Sequence, residues 1–284
     1  MDKILLLLGH TGKMGLAIGE VFKDDYLIIG KNSKDFDACD FGSVKKIIEE
    51  NKPDIVINTV AKLGIDPCEL EPDLALKINT LYPKFLAELS NKFNFLLVHF
   101  STDAVFRDRK SGYYTEKDPP FPLNIYGFTK FGGDCFVLNY AKRFYIFRVS
   151  LLFGPSIKKS QFIEKMLEKI KTQKVLRVSS DIVISPTYSI DVAKEIKRII
   201  KNRYKYGLYH IANKGKASLY DVIKEIVKNL NIDIEIKKAS YKDFEYIGRK
   251  NTYTPIRSEK LKPLRDWRLA IKDYCERIRW AINI

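Results

Sequence analysis

Tyr126 and Lys130 stand four residues apart in the segment Tyr126-Gly127-Phe128-Thr129-Lys130, a spacing that puts both side chains on one face of a helix. An ammonium beside a phenol stabilises the phenolate and lowers the phenol's pKa, so the tyrosine can exchange a proton near neutral pH. Thr102, at the end of a buried strand expected over residues 95–100, can hydrogen-bond the same substrate oxygen. This trio suits a reaction at a carbonyl, in which hydride arrives at carbon as Tyr126 protonates the developing alkoxide. A Tyr or a Lys alone would be read as part of a solvated helix face; the three together point to catalysis.

A hydride has to come from a bound carrier. Gly9-His10-Thr11-Gly12-Lys13-Met14-Gly15 places three glycines at three-residue intervals between a first apolar run, residues 4–8, and a helical segment ending near Phe22. Without side chains the backbone can turn sharply, approach a pyrophosphate and let helix and strand pack closely, while free N–H groups and the helix dipole hold negative charge. The turn from Gly9 through Thr11 to Gly15 therefore predicts a dinucleotide site, with His10 as a bystander. The loop after the second strand, Gly30-Lys31-Asn32-Ser33-Lys34, has no acid for a ribose 2′-hydroxyl. Lys31, Ser33 and Lys34 favour NADP(H) over NAD(H), and Asp40 with Phe41 lies at the right distance to meet the adenine edge.

These residues need a sheet to hold them. Strands are expected at residues 4–8, 26–29, 54–58, 95–100 and 145–149. Helices are expected at 43–50 with Ser43 as cap, at 73–92 with a kink or break at Pro83, and at 124–142. The alternation predicts an α/β fold, a doubly wound, Rossmann-like parallel sheet with a smaller C-terminal substrate-binding lobe. Residues 1–150 form the dinucleotide-binding domain. Residues 151–284 form mainly the substrate-binding lobe, interleaved with segments that return to the sheet. A last amphipathic helix over 267–284 is expected to bury Trp280.

Composition narrows the setting. The 284 residues are 45% hydrophobic and 30% charged, with a net charge of +15, which excludes global disorder. No membrane helix or signal peptide is recognised. Cys39, Cys68, Cys135 and Cys275 contain no C-x-x-C pair, so reduced thiols and a cytoplasmic setting are expected. The basic residues are scattered, which suits a lysine-rich surface and a phosphorylated small molecule better than nucleic acid.

Three strings add a family. Residues 101–106 (STDAVF), residues 122–130 (PLNIYGFTK) and residues 185–188 (SPTY) resemble the extended short-chain dehydrogenase/reductases, most closely the dTDP-4-dehydrorhamnose reductase branch. The resemblance runs through most of the chain. It implies a catalytic set of Thr102, Tyr126 and Lys130, a pyrophosphate wrapped by Gly9, Gly12, Lys13, Met14 and Gly15 with Thr11 as a further cofactor contact, and an adenosine side lined by Asp40, Phe41, Val60 and Ala61. Tyr126 and Lys130 would also meet the cofactor, Lys130 at the nicotinamide ribose, and Thr102 and Asp103 would touch the sugar. The implied reaction is NAD(P)H-dependent reduction of the 4-keto group of a nucleotide-linked deoxysugar. Its partner is a nucleotide-diphosphate sugar, and a homodimer is compatible with it; nucleic acid and membrane are not expected partners.

The departures carry information. Related dehydratases follow Thr and Asp with Glu, a pair suited to eliminating water, whereas this chain has Ala104 after Asp103. The branch usually has aromatics where Ala104 and Leu151 stand, so a less aromatic sugar pocket is implied. Some members bind magnesium through carboxylates at positions matching Ala17 and Ile190, and neither residue can ligate a metal. An epimerase on the same fold and a non-catalytic NADP-binding regulatory subunit are the competing readings; the intact trio counts against the second.

Overall fold

The structure, a computed structural model, describes residues 3–157 and 161–282; the side chain of Trp280 lies outside the described residues. In the first half of the chain come β1 (Ile4–Leu8), α1 (Lys13–Phe22), β2 (Leu27–Lys31), α2 (Phe41–Asn51), β3 (Ile55–Asn58), α3 (Ile65–Leu70), α4 (Pro72–Leu76), α5 (Tyr82–Lys92), β4 (Leu96–Thr102), α6 (Ile125–Tyr140) and β5 (Phe144–Val149). Then follow β6 (Leu152–Phe153), α7 (Phe162–Ile170), β7 (Val175–Ser179), β8 (Val183–Ile184), β9 (Thr187–Tyr188), α8 (Ser189–Lys201), β10 (Gly207–His210), β11 (Ala217–Ser218), α9 (Leu219–Leu230), β12 (Glu235–Ala239) and α10 (Trp267–Ile282).

Six strands form one parallel sheet in the order β10-β5-β4-β3-β1-β2. The unbroken leucine run of β1 follows from burial on both faces. Leu5 and Leu7 join one core with α1 and α8, while Leu6 and Leu8 join another with α2 and α5. With no face in water, the strand has no reason to alternate apolar and polar residues. The first core continues into α7, α9, β7 and α10, so the later part of the chain shares its hydrophobic interior with one face of the sheet. From β1 the chain passes outward to β2 and then back across to β3, which opens a crevice at the carboxyl ends of β1 and β3.

Two local expectations are corrected and a third is made specific. The cap of α2 is Asp40, whose side chain accepts from the N–H groups of Gly42 and Ser43, and the helix starts two residues before Ser43. Gly30 and Lys31 belong to β2, because they pair with Leu7 and Leu8. The helix expected to kink or break at Pro83 is irregular just before it, passing from α4 through a π-helical turn, Lys77–Leu81, into α5. Pro83 has no N–H to give Asn79 four residues back, and the wider turn absorbs the misfit just ahead of it.

That turn meets α6 backbone to backbone: a Cβ added to Gly133 would come within 2.3 Å of the Asn79 carbonyl oxygen. Gly133→Ala should therefore force the helices apart and lower the unfolding free energy by about 1–3 kcal/mol. Gly19→Ala, at a helical site with no atom within 4 Å, should be neutral or stabilising by up to ~1 kcal/mol. Urea denaturation of both variants measures the contrast.

Candidate active site

The polar residues singled out by sequence gather at the carboxyl edge of the sheet. Leu8 pairs with both Lys31 and Asn58, and Thr102 ends β4 beside Val149. The residues after these positions, Gly9, Thr59, Asp103 and Ser150, therefore line one crest. At its centre α6 starts with its cap residue Asn124, whose Oδ1 accepts from the Gly127 N–H at 2.9 Å. Glu69 of α3 accepts from the Ile125 N–H at 2.9 Å, which puts a carboxylate at the positive end of the helix dipole. A Cβ on Gly127 would sit 2.1 Å from the Ala104 carbonyl oxygen. Glycine is thus required inside the Tyr-to-Lys motif so that α6 can touch the turn that follows Thr102.

This approach brings Thr102, Tyr126 and Lys130 together. The half-buried Tyr126 phenol faces the Thr102 hydroxyl, and Thr102 Oγ1 accepts from the Ala104 N–H at 3.1 Å. Lys130 is 3% exposed and donates its ammonium to the Phe100 carbonyl at 2.6 Å. Burial pushes the Lys130 pKa down to about 8, opposed by the carboxylate of Asp134 one turn further along α6. Asp134 is itself paired with Arg148 at 2.9 Å and accepts from Ser101 at 2.9 Å.

The expected acidification of the phenol by Lys130 is corrected. Burial raises the Tyr126 pKa, Thr102 pulls it down in part, and Asp103 and Cys68 push it further up. The Lys130 ammonium points its charge at a backbone carbonyl instead. Tyr126 is accordingly a protonated phenol at neutral pH, the form that can give a proton away.

Asp103 is more deeply engaged than a sugar contact would be. Its Oδ2 accepts from Ser150 and Thr254, both at 2.8 Å, and its Oδ1 accepts from Thr102 at 3.2 Å. Burial raises its pKa while the three hydroxyls oppose the rise. Asn79 also joins the site. Its amide bonds both backbone groups of Lys62 at 2.9 and 3.0 Å and reaches Thr129 at 3.2 Å, tying the loop after β3 to α6. Nothing local in the sequence points to these roles for Asn79, Ser150, Thr254 and Glu69, because their partners are remote in the chain.

The glycine turn has the shape a pyrophosphate needs. Gly9 has φ +84°, and a Cβ there would meet Thr59 Oγ1 at 2.6 Å; a Cβ on Gly15 would meet the Gly9 carbonyl at 2.4 Å. The amide groups of Gly9 and His10 donate to the Lys31 carbonyl at 2.7 and 3.3 Å. Gly12 caps α1 with no side-chain bond, so a bare helix N-terminus faces the crevice and fits an anion. Val60 lies beside Gly9, and its N–H donates to Asn58 at 3.1 Å; Ala61 follows it. Thr11 lies on the turn itself.

Other expected cofactor contacts are occupied within the protein. The Lys13 side chain is buried, donates to the Leu152 carbonyl at 3.0 Å and pairs with Glu164 at 2.9 Å. Met14 is packed in the core. Both can present only backbone to a phosphate. Asp40 is engaged as the α2 cap, and Phe41 stacks on Phe85 with centroids 4.8 Å apart. Ala17 and Ile190 are wholly buried and apolar, and no group of three or more metal-ligating residues occurs among the described residues.

Known proteins are similar to this chain in sequence and in fold. The family described as the RmlD substrate binding domain matches residues 2–280. The spore coat polysaccharide biosynthesis protein SpsK of Bacillus subtilis is 30% identical over 97% of this chain and 98% of its own. The dTDP-4-dehydrorhamnose reductase of Aggregatibacter actinomycetemcomitans is 31% identical over 84% of this chain and 85% of its own. The crystal structure of dTDP-4-dehydrorhamnose reductase from Bacillus anthracis in complex with NADP superposes with a TM-score of 0.92, at 26% identity, over 98% of this chain and 100% of that one.

Lys130 has a measurable signature. Its pKa near 8 lies below the ordinary 10.5, so the unfolded chain holds this proton over a range in which the folded chain has lost it. Folding bears the full cost of the buried charge below pH 8, and that cost disappears as pH rises towards 10.5. Stability should thus gain on the order of 3 kcal/mol across that window from this group. Lys130→Met should lack the gain, so the difference between its denaturation curves and those of the parent protein should shrink from pH 7 to pH 10.

Proposed function

The chain belongs to the RmlD substrate binding domain family, and on that premise we propose that its crest holds the reacting carbonyl of a nucleotide-linked deoxysugar beside the dinucleotide turn. The protein is an NAD(P)-dependent oxidoreductase that reduces the sugar's 4-keto group. When bound, the reduced nicotinamide supplies the hydride. The chain's own residues do the rest. Thr102 and Tyr126 face each other from β4 and α6, and a carbonyl oxygen placed between them would receive the phenol's hydrogen bond and, once the Thr102 hydroxyl turns from Asp103, a second. Because Tyr126 keeps its proton at neutral pH, it can donate that proton to an alkoxide, which is far more basic. Lys130, charged at neutral pH and fixed by Phe100, is the residue on the same helix face that would meet the nicotinamide ribose.

The observation that carries this reading is the convergence of Thr102, Tyr126 and Lys130 on the same crest as the glycine turn. Ala104, 9% exposed and lying against α6, leaves no second carboxylate beside Asp103 for elimination. The cofactor is proposed to be NADP(H): Lys31 ends β2 beside the glycine turn and Lys34 is exposed in the loop that follows, where a 2′-phosphate would meet positive charge. Four free cysteines suit a reducing, cytoplasmic setting, and no helix among the described residues is long and apolar enough to cross a membrane.

Two measurements test the reading. Tyr126→Phe should lower kcat for a 4-keto nucleotide sugar by about 10²–10⁴ while leaving NADPH binding within about twofold. Net oxidation of NADPH, one per sugar reduced, is expected; isomerisation without net oxidation would identify an epimerase, and full function in the variant a regulatory subunit. Lys31→Glu combined with Lys34→Glu should weaken NADPH binding at least tenfold and leave NADH binding nearly unchanged; an equal effect on both would argue against the 2′-phosphate assignment.

A further inference from the structure

A cavity of ≈ 250 Å³ opens past the carboxyl end of β10, the edge strand of the sheet, two strands away from β4. Segments 210–215, 256–258 and 261–264 wall it, together with Tyr113 and Glu195. None of these residues belongs to the glycine turn or to the catalytic trio. Ile211 and Ile256, 2% and 1% exposed, and the half-buried Leu261 and Leu264 give it an apolar lining. Backbone bonds hold the walls in place. The Lys214 N–H donates to the Arg265 carbonyl at 3.0 Å, the Trp267 N–H to the Lys214 carbonyl at 3.1 Å, and the Arg257 N–H to the Tyr114 carbonyl at 2.9 Å. The cavity is thus largely preformed, as small-molecule sites are.

Three exposed cations, Lys214, Arg257 and Lys262, stand on these walls. None of them meets a carboxylate within ion-pair distance among the described residues; Arg257 lies over the Tyr113 ring, 5.8 Å from its centre. The acids nearby are committed elsewhere. Glu195, the one acid in the lining, holds Arg198 through two bonds at 2.8 and 2.5 Å. Glu116 accepts from the N–H groups of His210 and Glu259, both at 2.9 Å, and from the Ser258 hydroxyl. Asp191 is held by Arg265 at 2.7 and 2.9 Å and by Asn213 at 2.8 Å. Asp266 accepts from the Arg268 N–H at 2.9 Å and lies 3.9 Å from its guanidinium. The cavity therefore joins an apolar interior to positive charge at its surface, a combination complementary to an apolar body carrying a negative group.

We propose that this cavity is a second ligand site, separate from the dinucleotide turn and the catalytic crest, for a small organic carboxylate built on one ring or a short hydrocarbon chain. The hydrocarbon lies against Ile211, Ile256 and Leu264, where burying its surface drives binding. The carboxylate meets Arg257 and Lys214 at the mouth through charge-assisted hydrogen bonds, for which the planar guanidinium is the better matched partner. Size sets the class: the volume lies below the roughly 300 Å³ at which pockets for drug-sized ligands begin, which suits a single ring and not a nucleotide. The site stands apart from the reductase reading, because no residue of the catalytic trio or the glycine turn enters it.

The test is calorimetric titration of the full chain with 4-phenylbutyrate, with and without saturating NADPH. One site per chain is expected, with a Kd at or below about 1 mM that NADPH leaves unchanged. The alcohol 4-phenylbutan-1-ol, which has the same body without the charge, should bind at least tenfold more weakly. Lys214→Met combined with Arg257→Gln should weaken the acid at least tenfold and leave the alcohol within about twofold, whereas Ala212→Phe, which fills the cavity, should remove both. Circular dichroism of the double variant, expected to match that of the parent protein, separates a lost contact from a lost fold. No binding of the acid by the parent protein, equal binding of acid and alcohol, or an acid affinity that the double variant leaves untouched would overturn the proposal. Displacement of the acid by NADPH would overturn it too, by placing the probe at the dinucleotide turn.

Discussion

Close backbone contact along α6 is the constraint on which the site depends. At Gly127 the helix touches the turn after Thr102, and at Gly133 it touches the π-helical turn ahead of Pro83, each with less than 2.5 Å for a Cβ. Two contacts six residues apart fix both the height and the rotation of the helix. Tyr126 and Lys130 lie between or beside them, so their positions follow from the absence of side chains at their neighbours. The π-helical turn is part of the same fit, because it presents the Asn79 carbonyl to α6 and the Asn79 amide to Thr129 and to the loop after β3.

A seam of buried charge runs beneath that contact. Lys130, Asp134 and Arg148 link α6 to β4 and β5, and Asp103 collects hydroxyls from Thr102, Ser150 and Thr254. Desolvating these groups costs more than their pairing returns in many proteins. Their value here is positional: each charge has its partner on a different element, and a shifted helix would leave one buried and unpaired. The seam also decides the state of Tyr126, since burial and the neighbouring acid keep its proton in place.

The glycine turn is braced from the opposite side. Lys13 reaches across to the Leu152 carbonyl and to Glu164 on α7, so the first turn of α1 is joined to the later part of the chain through a buried ion pair. Since the core on that face also continues from α1 and α8 into α7 and α9, the helix after the glycine turn and the later part of the chain share one packed interior.

Much of this was legible in the residues. The buried strand run, the spacing of Gly9, Gly12 and Gly15, and the four-residue step from Tyr126 to Lys130 are local patterns, and local patterns survive in sequence because strand and helix periods are fixed by the backbone. They determined the fold class and the chemistry that could be done. Tertiary structure decided which groups are free to do it. That Lys13 faces Glu164 and not a phosphate, and that Asp103 is satisfied by Ser150 and Thr254, are outcomes of pairing across 47 to 151 residues of chain, and that the Tyr126 phenol is made less acidic and not more is an outcome of desolvation. Neither is written in spacing: protonation and availability depend on the dielectric and the partners a side chain meets only after the chain has folded.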